Sequence, residues 1–510
     1  MPPTAEETVV NAPPPPADVR GESVAQAIAS ARAAQQAWAE ADLADRIKAV
    51  LACRRNLVDE PEEWAQEITV EGKRSLADSL AAEVLPTADA CRFLERNAAR
   101  LLRGERAPAR DRPIWGRGLR VRVRRAPIGV VVVIGAGNYP LFLAGVQALQ
   151  AITAGNAVLI KPAPGASAPM RRLVRVLEAA GAPAGLVQVL DEAPSAAEHA
   201  IDLGADHVVL TGSAETGRKV YARAAERLTP CTMELSGCDA VFVLDGVANL
   251  EKVADAIVFG LRLNAGATCI GPRRVFATAG VANRLSWTLR ERLLKPGPGV
   301  RVPPTVAEQA QRLVEQAIDD GAEPLGGPPT YDADDFWPIV LRAPSVDTPL
   351  LKADLFAPVV SFVEVADMDE ALRLDRACPY ALGASVFGPL RDAAAFAERI
   401  EAGCVTVNDL VAPTADPRVA FGGCNQSGFG VTRGAEGLRQ MTRPQTIVTQ
   451  TSAWLPHLDP PREKLDRLVL GLLRMSHGRG VATKWRGLRD VVAGARSRFT
   501  TNRDTKDTKG

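Results

Sequence analysis

The sequence contains little cysteine and histidine, which limits the kinds of site it can build. Its eight cysteines are scattered over 510 residues without a Cys-x-x-Cys pair, and its four histidines do not cluster with cysteines or carboxylates. A disulfide framework needs an ordered set of cysteines, and a structural zinc site needs four grouped ligands. We therefore expect a protein of the reducing cytoplasm, with neither disulfides nor a bound metal.

A strong net charge and a long hydrophobic run are also missing. Sixty-one basic residues against 60 acidic ones leave a formal charge of +1, which gives no global attraction to nucleic acid or to an anionic membrane. No window approaches the roughly 18 uninterrupted apolar residues of a transmembrane helix, and the N-terminal residues lack a signal-peptide pattern. A soluble, cytoplasmic protein without a nucleic-acid partner is expected.

The charges are nevertheless unevenly distributed along the chain. Residues 461–510 contain 13 basic and five acidic residues, a local net charge of +8, so residues 1–460 carry −7. An amphipathic helix is expected in this tail, with an apolar stripe formed by Leu465, Leu468, Val469, Leu472 and Leu473. Such a helix fits docking on its own domain or on a neighbouring subunit, and it also fits peripheral contact with a membrane surface. Contact with nucleic acid is the least favoured interpretation.

The rest of the chain is predicted to be α/β. Residues 1–21 are rich in proline and predict a flexible arm, and apolar residues at helical spacing predict a helical bundle over residues 22–102. Residues 119–125 alternate apolar and basic side chains, as in a strand with one solvated face. Short β-branched runs alternating with helical stretches then predict two doubly wound domains, with strands at 128–134, 157–160, 186–190, 207–210, 240–244, 274–277, 358–365 and 404–407.

One glycine-rich turn gives a weak signal for a dinucleotide site. Gly135-Ala-Gly137-Asn-Tyr-Pro140 follows a predicted buried strand, but proline stands where the third glycine of the usual fingerprint would be. Taken alone, the segment fits a tight turn at least as well as a nucleotide-binding loop.

Seven motifs in order carry more information than this turn. Together they resemble the aldehyde dehydrogenase superfamily over about residues 22–452. The motifs are PIGVVVVIGAGNYPL (127–141), AGNAVLIKPAP (154–164), LTGSAETGRK (210–219), MELSGCDAVFV (233–243), NAGATCIGPRR (264–274), LFAPVVSF (355–362) and FGGCNQSGFG (421–430).

The resemblance implies three catalytic residues. Cys269 matches the nucleophilic cysteine, which forms a thiohemiacetal and then a thioester. Asn138 matches the side-chain donor of the oxyanion hole, and Glu234 matches the general base that activates water for hydrolysis of the thioester. No histidine lies near Cys269 in the sequence, so a Cys/His dyad is not supported.

The resemblance also implies NAD or NADP as cofactor. Gly212 and Ser213 follow a strand and open a helix, where backbone N–H groups suit a pyrophosphate. Lys161 matches the lysine that bonds the adenosine ribose, and Asp354 and Phe356 match a glutamate and a phenylalanine that hold the nicotinamide ribose and ring.

The sequence departs from the family pattern at several of these places. Ala136 and Gly137 stand where Pro-Trp usually precedes the asparagine, Ala267 replaces a glutamine, and Ser236 replaces a glycine of Glu-Leu-Gly-Gly. Pro164 replaces the glutamate that grips the ribose diol and would repel a 2′-phosphate, so the choice between NAD and NADP stays open. Asp354 is one methylene shorter than the family's glutamate.

The predicted function is NAD(P)-dependent oxidation of an aldehyde to the acid. The alternatives are a catalytically weak scaffold or membrane-associated homologue, and an acylating enzyme that transfers the acyl group to coenzyme A. A homodimer or homotetramer is implied by the resemblance. The expected organisation is a proline-rich arm (1–21), a coenzyme domain (22–106 and 127–234), a catalytic domain (235–431), a bridging sheet (107–126 and 432–452) and a basic extension (453–510).

Overall fold

The computed structural model describes residues 17–68, 74–113, 116, 118–293, 299–343, 347–453, 455, 457–458 and 463–497. Most of the predicted arm and the end of the basic extension lie outside these ranges. The chain divides into two compact units. The first contains the chain up to Leu102 together with Pro127–Arg443, and the second contains Arg103–Ala126 together with the chain from Pro444 onward.

Helices and strands alternate through most of the first unit. The helices are α1 (Ala17–Glu40), α2 (Leu43–Asp59), α3 (Pro61–Ile68), α4 (Leu76–Ser79), α5 (Leu85–Leu101), α6 (Phe142–Thr153), α7 (Ser167–Ala179), α8 (Pro194–Asp202), α9 (Ala214–Glu226), α10 (Leu250–Arg262), α11 (Ala279–Leu293), α12 (Pro304–Asp319), α13 (Met368–Asp375), α14 (Leu390–Ala397), α15 (Gly434–Gln440), α16 (Leu465–His477) and α17 (Val481–Ala495). A π-helical turn, Leu80–Val84, joins α4 to α5.

The strands are shorter and lie between these helices. They are β1 (Glu105–Arg106), β2 (Leu119–Pro127), β3 (Val130–Ile134), β4 (Ala157–Lys161), β5 (Val187–Val189), β6 (His207–Gly212), β7 (Cys231–Leu235), β8 (Asp239–Val243), β9 (Pro272–Thr278), β10 (Glu323–Pro324), β11 (Ile339–Ala343), β12 (Val359–Val365), β13 (Tyr380–Ala381), β14 (Gly383–Phe387), β15 (Cys404–Val407), β16 (Cys424–Asn425), β17 (Gly428–Phe429) and β18 (Thr442–Gln450).

The N-terminal residues form the helices that their spacing predicts. In α1, Val24, Ile28, Ala31 and Trp38 recur every three to seven residues and are buried. This periodicity places them on one face of the helix. The indole of Trp38 donates a hydrogen bond of 2.8 Å to the carbonyl of Ile152 near the end of α6. The helix is therefore fixed both by apolar contact and by a buried polar contact.

The first of two large sheets has the strand order β17-β7-β6-β3-β4-β5. The five longer strands are parallel, and β17 is antiparallel to β7. Every residue of β3 and β4 is buried, as the β-branched sequence of a two-sided parallel sheet requires. Because parallel strands end at the same edge, the turn after Ile134 lies beside Lys161 and near Gly212.

The second large sheet has the order β10-β11-β12-β9-β8-β14-β15 and is parallel apart from β10. Alternation along β8 sends Val241 and Val243 into the core formed with α10 and α11. Ala240 and Phe242 face the opposite core, formed with α13 and α14. Helices thus cover both faces of this sheet, and the loop between α10 and β9 carries Cys269.

The second unit contains a small antiparallel sheet and two tail helices. The sheet has the order β1-β2-β18, and exposed arginines alternate with half-buried residues along β2. In the tail, α16 and α17 pack closely through glycines, since a Cβ added to Gly471 would lie 2.5 Å from the amide nitrogen of Val491. Leu468 of the predicted stripe packs against Gly494, whereas Leu465, Val469 and Leu473 are exposed. No helix in the described ranges is long and apolar enough to cross a membrane.

Candidate active site

Seven of the eight predicted site residues line one cavity of about 590 Å³, which we call the wide cleft. The cleft lies at the carboxyl edge of the first sheet and reaches the loop between α10 and β9. Lys161 is not among its lining residues, although it ends the neighbouring strand β4. The seven predicted residues on its wall are Asn138, Gly212, Ser213, Glu234, Cys269, Asp354 and Phe356.

Cys269 follows a tightly constrained turn. Asn264, Ala265 and Gly266 have φ angles of 51°, 55° and 78°. A Cβ at Gly266 would lie 2.5 Å from the backbone nitrogen of Pro358, so only glycine fits there. The hydroxyls of Thr268 and Tyr139 are 2.7 Å apart and further fix the loop. This geometry holds the thiol at the wall of the cleft.

The charge state of Cys269 is set mainly by burial. Burial raises the pKa of the thiol, and the nearby Glu234 carboxylate raises it further. The Arg433 guanidinium and the backbone N–H of Ile270 act in the opposite direction. Burial therefore favours the protonated form of the thiol, and attack on a carbonyl carbon requires that a base accept this proton.

Asn138 points its amide toward the cysteine loop. Its Nδ2 donates to the carbonyl oxygen of Ala267 at 3.0 Å, two residues before Cys269. Its own backbone carbonyl accepts from Asn264 Nδ2 at 2.9 Å and from Arg74 Nη2 at 2.5 Å. Asn138 is thus held by an amide and a guanidinium from two distant parts of the chain.

Arg74 and Glu83 support this arrangement and were not singled out in the sequence. Arg74 also donates to Asn264 Oδ1 at 2.5 Å and forms an ion pair with Glu83. Glu83 is fully buried and accepts the backbone N–H groups of Leu141 and Phe142 at 2.7 and 3.0 Å, at the start of α6. Burial raises the pKa of Glu83 to about 7, although Arg74 and the two amides lower it.

Glu234 lies on β7, between Thr211 of β6 and Gly428 of β17. Its Oε2 accepts a hydrogen bond of 2.8 Å from Thr432 Oγ1, whereas the buried Oε1 has no partner in the described residues. Burial raises the pKa of Glu234, while Arg433 and the Thr432 hydroxyl lower it. A buried carboxylate with one unused oxygen can accept a proton from a thiol or a water.

Four of the five predicted coenzyme residues line the wide cleft, and Lys161 does not. Ser213 caps α9, since its Oγ accepts the Thr216 N–H at 3.2 Å. Asp354 Oδ2 accepts a hydrogen bond from Ser236 Oγ, and the buried Oδ1 has no partner in the described residues. Burial raises the pKa of Asp354, whereas Ser236 and Arg273 lower it. The pKa of Lys161 is lowered by burial, and Glu192 and Asp191 raise it.

A second, narrower cavity of about 300 Å³ meets the wide cleft at Cys269 and Glu234, which line both. We call it the apolar tunnel, because most of its wall is aliphatic or aromatic. Its apolar wall includes Tyr139, Phe142, Leu143, Phe259, Leu263, Ile270, Val411 and Phe421.

Arg433 is the cation on the wall of the apolar tunnel, and sequence reasoning missed it. The side chain is buried, and its guanidinium lies 4.3 Å from the ring centre of Phe421 and 5.2 Å from that of Phe142. Nη1 donates to the carbonyl of Thr414 at 2.7 Å. Arg433 directly follows Thr432, so the hydrogen bond from Thr432 to Glu234 places both residues beside the thiol.

The structure contains two large sheets of mainly parallel strands covered by helices, and a thiol at the junction of two cavities. This is the arrangement of an α/β enzyme. The aldehyde dehydrogenase family matches residues 3–447, and this protein belongs to that family. It is therefore an aldehyde-oxidising oxidoreductase, and the predicted family and fold class are confirmed.

Individual relatives are similar at moderate identity. The chain is 29% identical over 450 residues to 4,4'-diapolycopene aldehyde oxidase of Methylomonas sp, covering 85% of this chain and 84% of that protein. It is 32% identical over 410 residues to succinate-semialdehyde dehydrogenase (NADP(+)) 1 of Mycobacterium ulcerans, covering 76% and 86%. The crystal structure of NADP-dependent glyceraldehyde-3-phosphate dehydrogenase from Bacillus halodurans matches with a TM-score of 0.78 and 28% identity, over 85% of this chain and 92% of that chain.

Proposed function

We propose that this protein oxidises an aldehyde to the carboxylic acid with NAD or NADP, through a thioester on Cys269. The observation that carries the proposal is that Cys269 and Glu234 line both the wide cleft and the apolar tunnel. A substrate in the tunnel and a coenzyme in the cleft would therefore meet at the thiol. The relatives include enzymes named for NADP, which supports this choice of coenzyme.

The residues of the wide cleft fit a dinucleotide. The start of α9 offers backbone N–H groups near Gly212 and Ser213, which suit a pyrophosphate. The unused Oδ1 of Asp354 is a buried acceptor for a ribose hydroxyl, and Phe356 offers an apolar surface to a ring. When bound, the coenzyme accepts a hydride from the aldehyde carbon.

The first step is addition of Cys269 to the aldehyde. The thiol proton passes to water, and Glu234, on the same wall, keeps its unused oxygen for the second step. Sulfur forms a bond to the carbonyl carbon, and the carbonyl electron pair moves to oxygen. The amide of Asn138 then stabilises this oxygen, a contribution of about 3 kcal/mol in comparable sites.

The second step is hydrolysis of the thioester. Glu234 takes a proton from water, and the resulting hydroxide attacks the acyl carbon while sulfur leaves as thiolate. Overall, one aldehyde and one water give one carboxylate, two protons and one hydride, and the hydride carries two electrons to the coenzyme. The buried base beside the thiol favours hydrolysis over acyl transfer to coenzyme A.

The domain assignments follow from the proposed roles. We assign coenzyme binding to residues 22–106 and 127–234, catalysis to 235–431, and assembly to the bridging element of 107–126 and 432–452. In the second unit, β18 is an edge strand of its sheet, and most of its residues are exposed. Pairing of this edge with another copy would give a homodimer or homotetramer, which light scattering on the purified protein measures.

For the basic tail we propose peripheral contact with an anionic membrane surface. Trp485 and Val481 on α17 and Leu473 and Val469 on α16 are more than half exposed. The tail also carries a net charge of +8, which complements anionic lipid headgroups. Sedimentation with phosphatidylserine vesicles should be weakened in Trp485→Ser and by high salt. Equal sedimentation with neutral vesicles would contradict an electrostatic contact.

Reduction of the coenzyme tests the proposed reaction directly. The wild-type protein, an aldehyde panel and NAD or NADP should give reduced coenzyme without coenzyme A, and Cys269→Ala should give none. Cys424→Ala is the matched control, because Cys424 is exposed and outside both cavities. A wild-type protein inactive with the whole panel, or a strict requirement for coenzyme A, would contradict the proposal.

A further inference from the structure

Arg74 is distant in the sequence from the residues of the proposed reaction, yet it contacts two of the turns that form the site. One terminal nitrogen, Nη2, donates to the backbone carbonyl of Asn138 and to Oδ1 of Asn264, both at 2.5 Å. Asn138 follows β3 of the first sheet, and Asn264 precedes β9 of the second. A single guanidinium therefore bonds the turn that carries the oxyanion amide and the turn that carries the thiol.

The two turns also contact each other directly. Asn138 Nδ2 donates to the carbonyl of Ala267 at 3.0 Å, and Asn264 Nδ2 donates to the same carbonyl at 3.1 Å. An amide nitrogen carries two hydrogens, so Asn138 has a second one to offer to an oxyanion at Cys269. The direction of this hydrogen depends on where the backbone of Asn138 is held. Arg74 and Asn264 are the side chains that bond its carbonyl.

Glu83 fixes Arg74 in this position. The Arg74 side chain is 11% exposed and that of Glu83 is fully buried, and the two form an ion pair. The other carboxylate oxygen of Glu83 accepts two backbone N–H groups at the start of α6, three and four residues after Asn138. The guanidinium also lies 5.3 Å from the ring centre of Tyr139. The ion pair thus bonds the chain at Asn138 and again just after it, which restricts the movement of this turn.

The distance between the thiol and the oxyanion amide controls the proposed addition step. The amide must reach the carbonyl oxygen while sulfur bonds to the carbonyl carbon, and a displacement of about 1 Å in such a site costs about 100-fold in rate. In this chain the thiol and the amide lie on loops of two different sheets. A side chain that bonds both loops is therefore placed to control the rate.

We propose that Arg74 is a positioning residue of the oxidation, which sets the Asn138 amide against Cys269, and that Glu83 keeps Arg74 in place. The inference rests on the proposed aldehyde oxidation and adds two residues that line neither the wide cleft nor the apolar tunnel. Arg74 acts through Asn138 and transfers neither a proton nor a hydride. It therefore matters in the steps in which negative charge develops on the carbonyl oxygen, and only while the Asn138 amide is present.

The test is a double-mutant cycle between Arg74 and Asn138, measured on the first turnover. Rapid mixing of enzyme and coenzyme with the aldehyde that the wild type oxidises fastest gives the rate at which reduced coenzyme first forms. We expect Arg74→Met to lower this rate about 100-fold in the wild type and less than about threefold in Asn138→Ala. Arg74→Lys should lower it about tenfold, because it retains the charge but loses the planar donor nitrogens. The KM for the coenzyme should stay within about twofold in both Arg74 variants.

A matched variant measures the effect of losing an ion pair elsewhere. Arg54→Met breaks the pair with Glu95 between α2 and α5, whose contacts are 2.6 and 3.0 Å, and both residues lie outside the two cavities. This variant should keep the wild-type rate of the first turnover. If Arg74→Met does not fold because the Glu83 charge is left buried without a partner, Arg74→Met/Glu83→Gln removes both charges. The double variant should show the same loss of rate and the same dependence on Asn138.

The results separate this inference from the proposed function. Losses that multiply in Arg74→Met/Asn138→Ala would overturn it, because Arg74 would then act independently of the amide. An equal loss in Arg54→Met would also overturn it, since any broken ion pair would then have the same effect. An Arg74→Met protein as fast as an active wild type contradicts the positioning role and leaves aldehyde oxidation intact. A wild type that reduces no coenzyme with the whole aldehyde panel would contradict the proposed function itself.

Discussion

Ser236 Oγ donates a hydrogen bond to Asp354 Oδ2, across 118 positions of the sequence. Both residues depart from the pattern of the family, which has a glycine and a glutamate at these places. The shorter aspartate is held by a hydroxyl that a glycine could not supply. The two departures therefore form one local contact on the wall of the wide cleft, and Asp354 keeps one oxygen for a ligand.

Exchange of this pair should show that the two residues depend on each other. In Ser236→Gly, Asp354 loses its donor, and we expect KM for NAD or NADP to rise about tenfold, as for loss of one hydrogen bond to a charged group. Adding Asp354→Glu to this variant should recover most of the loss, whereas Asp354→Glu alone should crowd Ser236. Additive effects in this double-mutant cycle would contradict the coupling.

Removing the proposed base should separate the two chemical steps. In Glu234→Gln, the thioester should form and then persist, so a burst of about one reduced coenzyme per site is followed by turnover slowed about 10²- to 10⁴-fold. Rapid-mixing absorbance measures both phases. Turnover restored by coenzyme A would indicate acyl transfer, and the absence of a burst would mean that Glu234 is needed before hydrolysis.

The hydroxyl of Thr432 should influence the pH below which kcat falls. Its hydrogen bond stabilises the Glu234 carboxylate and lowers the pKa of Glu234 against the effect of burial. In Thr432→Val this pKa should rise, and the acid limb of the kcat–pH profile should move to higher pH, because the base must be ionised. Thr442→Val, a buried threonine outside both cavities, is the control and should leave the limb in place.

Glu83 should make the stability of the protein fall as pH rises. Its pKa is about 7 in the folded protein and near 4.5 when exposed, so the folded state binds one more proton between these values. The free energy of unfolding should therefore decrease across this window, by about 3 kcal/mol. In Glu83→Gln this contribution is absent. Urea unfolding at pH 5 and pH 8 should show a larger loss in the wild type, and equal losses in both proteins would contradict the assignment.

Glu192 should influence the choice between the two coenzymes. Its carboxylate accepts a hydrogen bond of 2.8 Å from the Gly165 N–H and raises the pKa of Lys161. A negative charge therefore lies near Pro164, which replaces the family's glutamate. If Lys161 bonds the adenosine ribose, this charge opposes a 2′-phosphate. Glu192→Gln should then increase kcat/KM for NADP relative to NAD several-fold. An unchanged ratio would place the phosphate elsewhere.

The sequence predicts the parts of this site that lie in ordered motifs. Cys269, Asn138 and Glu234 are predicted because each lies in a motif that resembles the aldehyde dehydrogenase family, and the strands β3 and β4 are predicted because β-branched runs mark a buried parallel sheet. The structure brings them to one cleft wall.

The supporting residues could not be predicted in this way. Arg74 reaches Asn264 across 190 positions, and Thr432 reaches Glu234 across 198. Such contacts depend on the tertiary arrangement of the sheets and their loops. They cannot be predicted from the spacing of neighbouring residues in the sequence. Arg433 carries no pattern in the sequence, and it becomes visible as a site residue when the tunnel wall is known.

The segment from Gly428 to Arg433 extends the first sheet, donates a hydrogen bond to the proposed base and carries the tunnel cation. Six consecutive residues thus contribute to the first sheet, to the contacts of the proposed base and to the wall of the tunnel. A substitution at Arg433 that reshapes the tunnel would consequently also act on the proposed base, because the adjoining Thr432 bonds to Glu234. Phe259 and Val411 also line the tunnel and lie outside this segment, so variation at these two residues offers a way to reshape the tunnel without disturbing it.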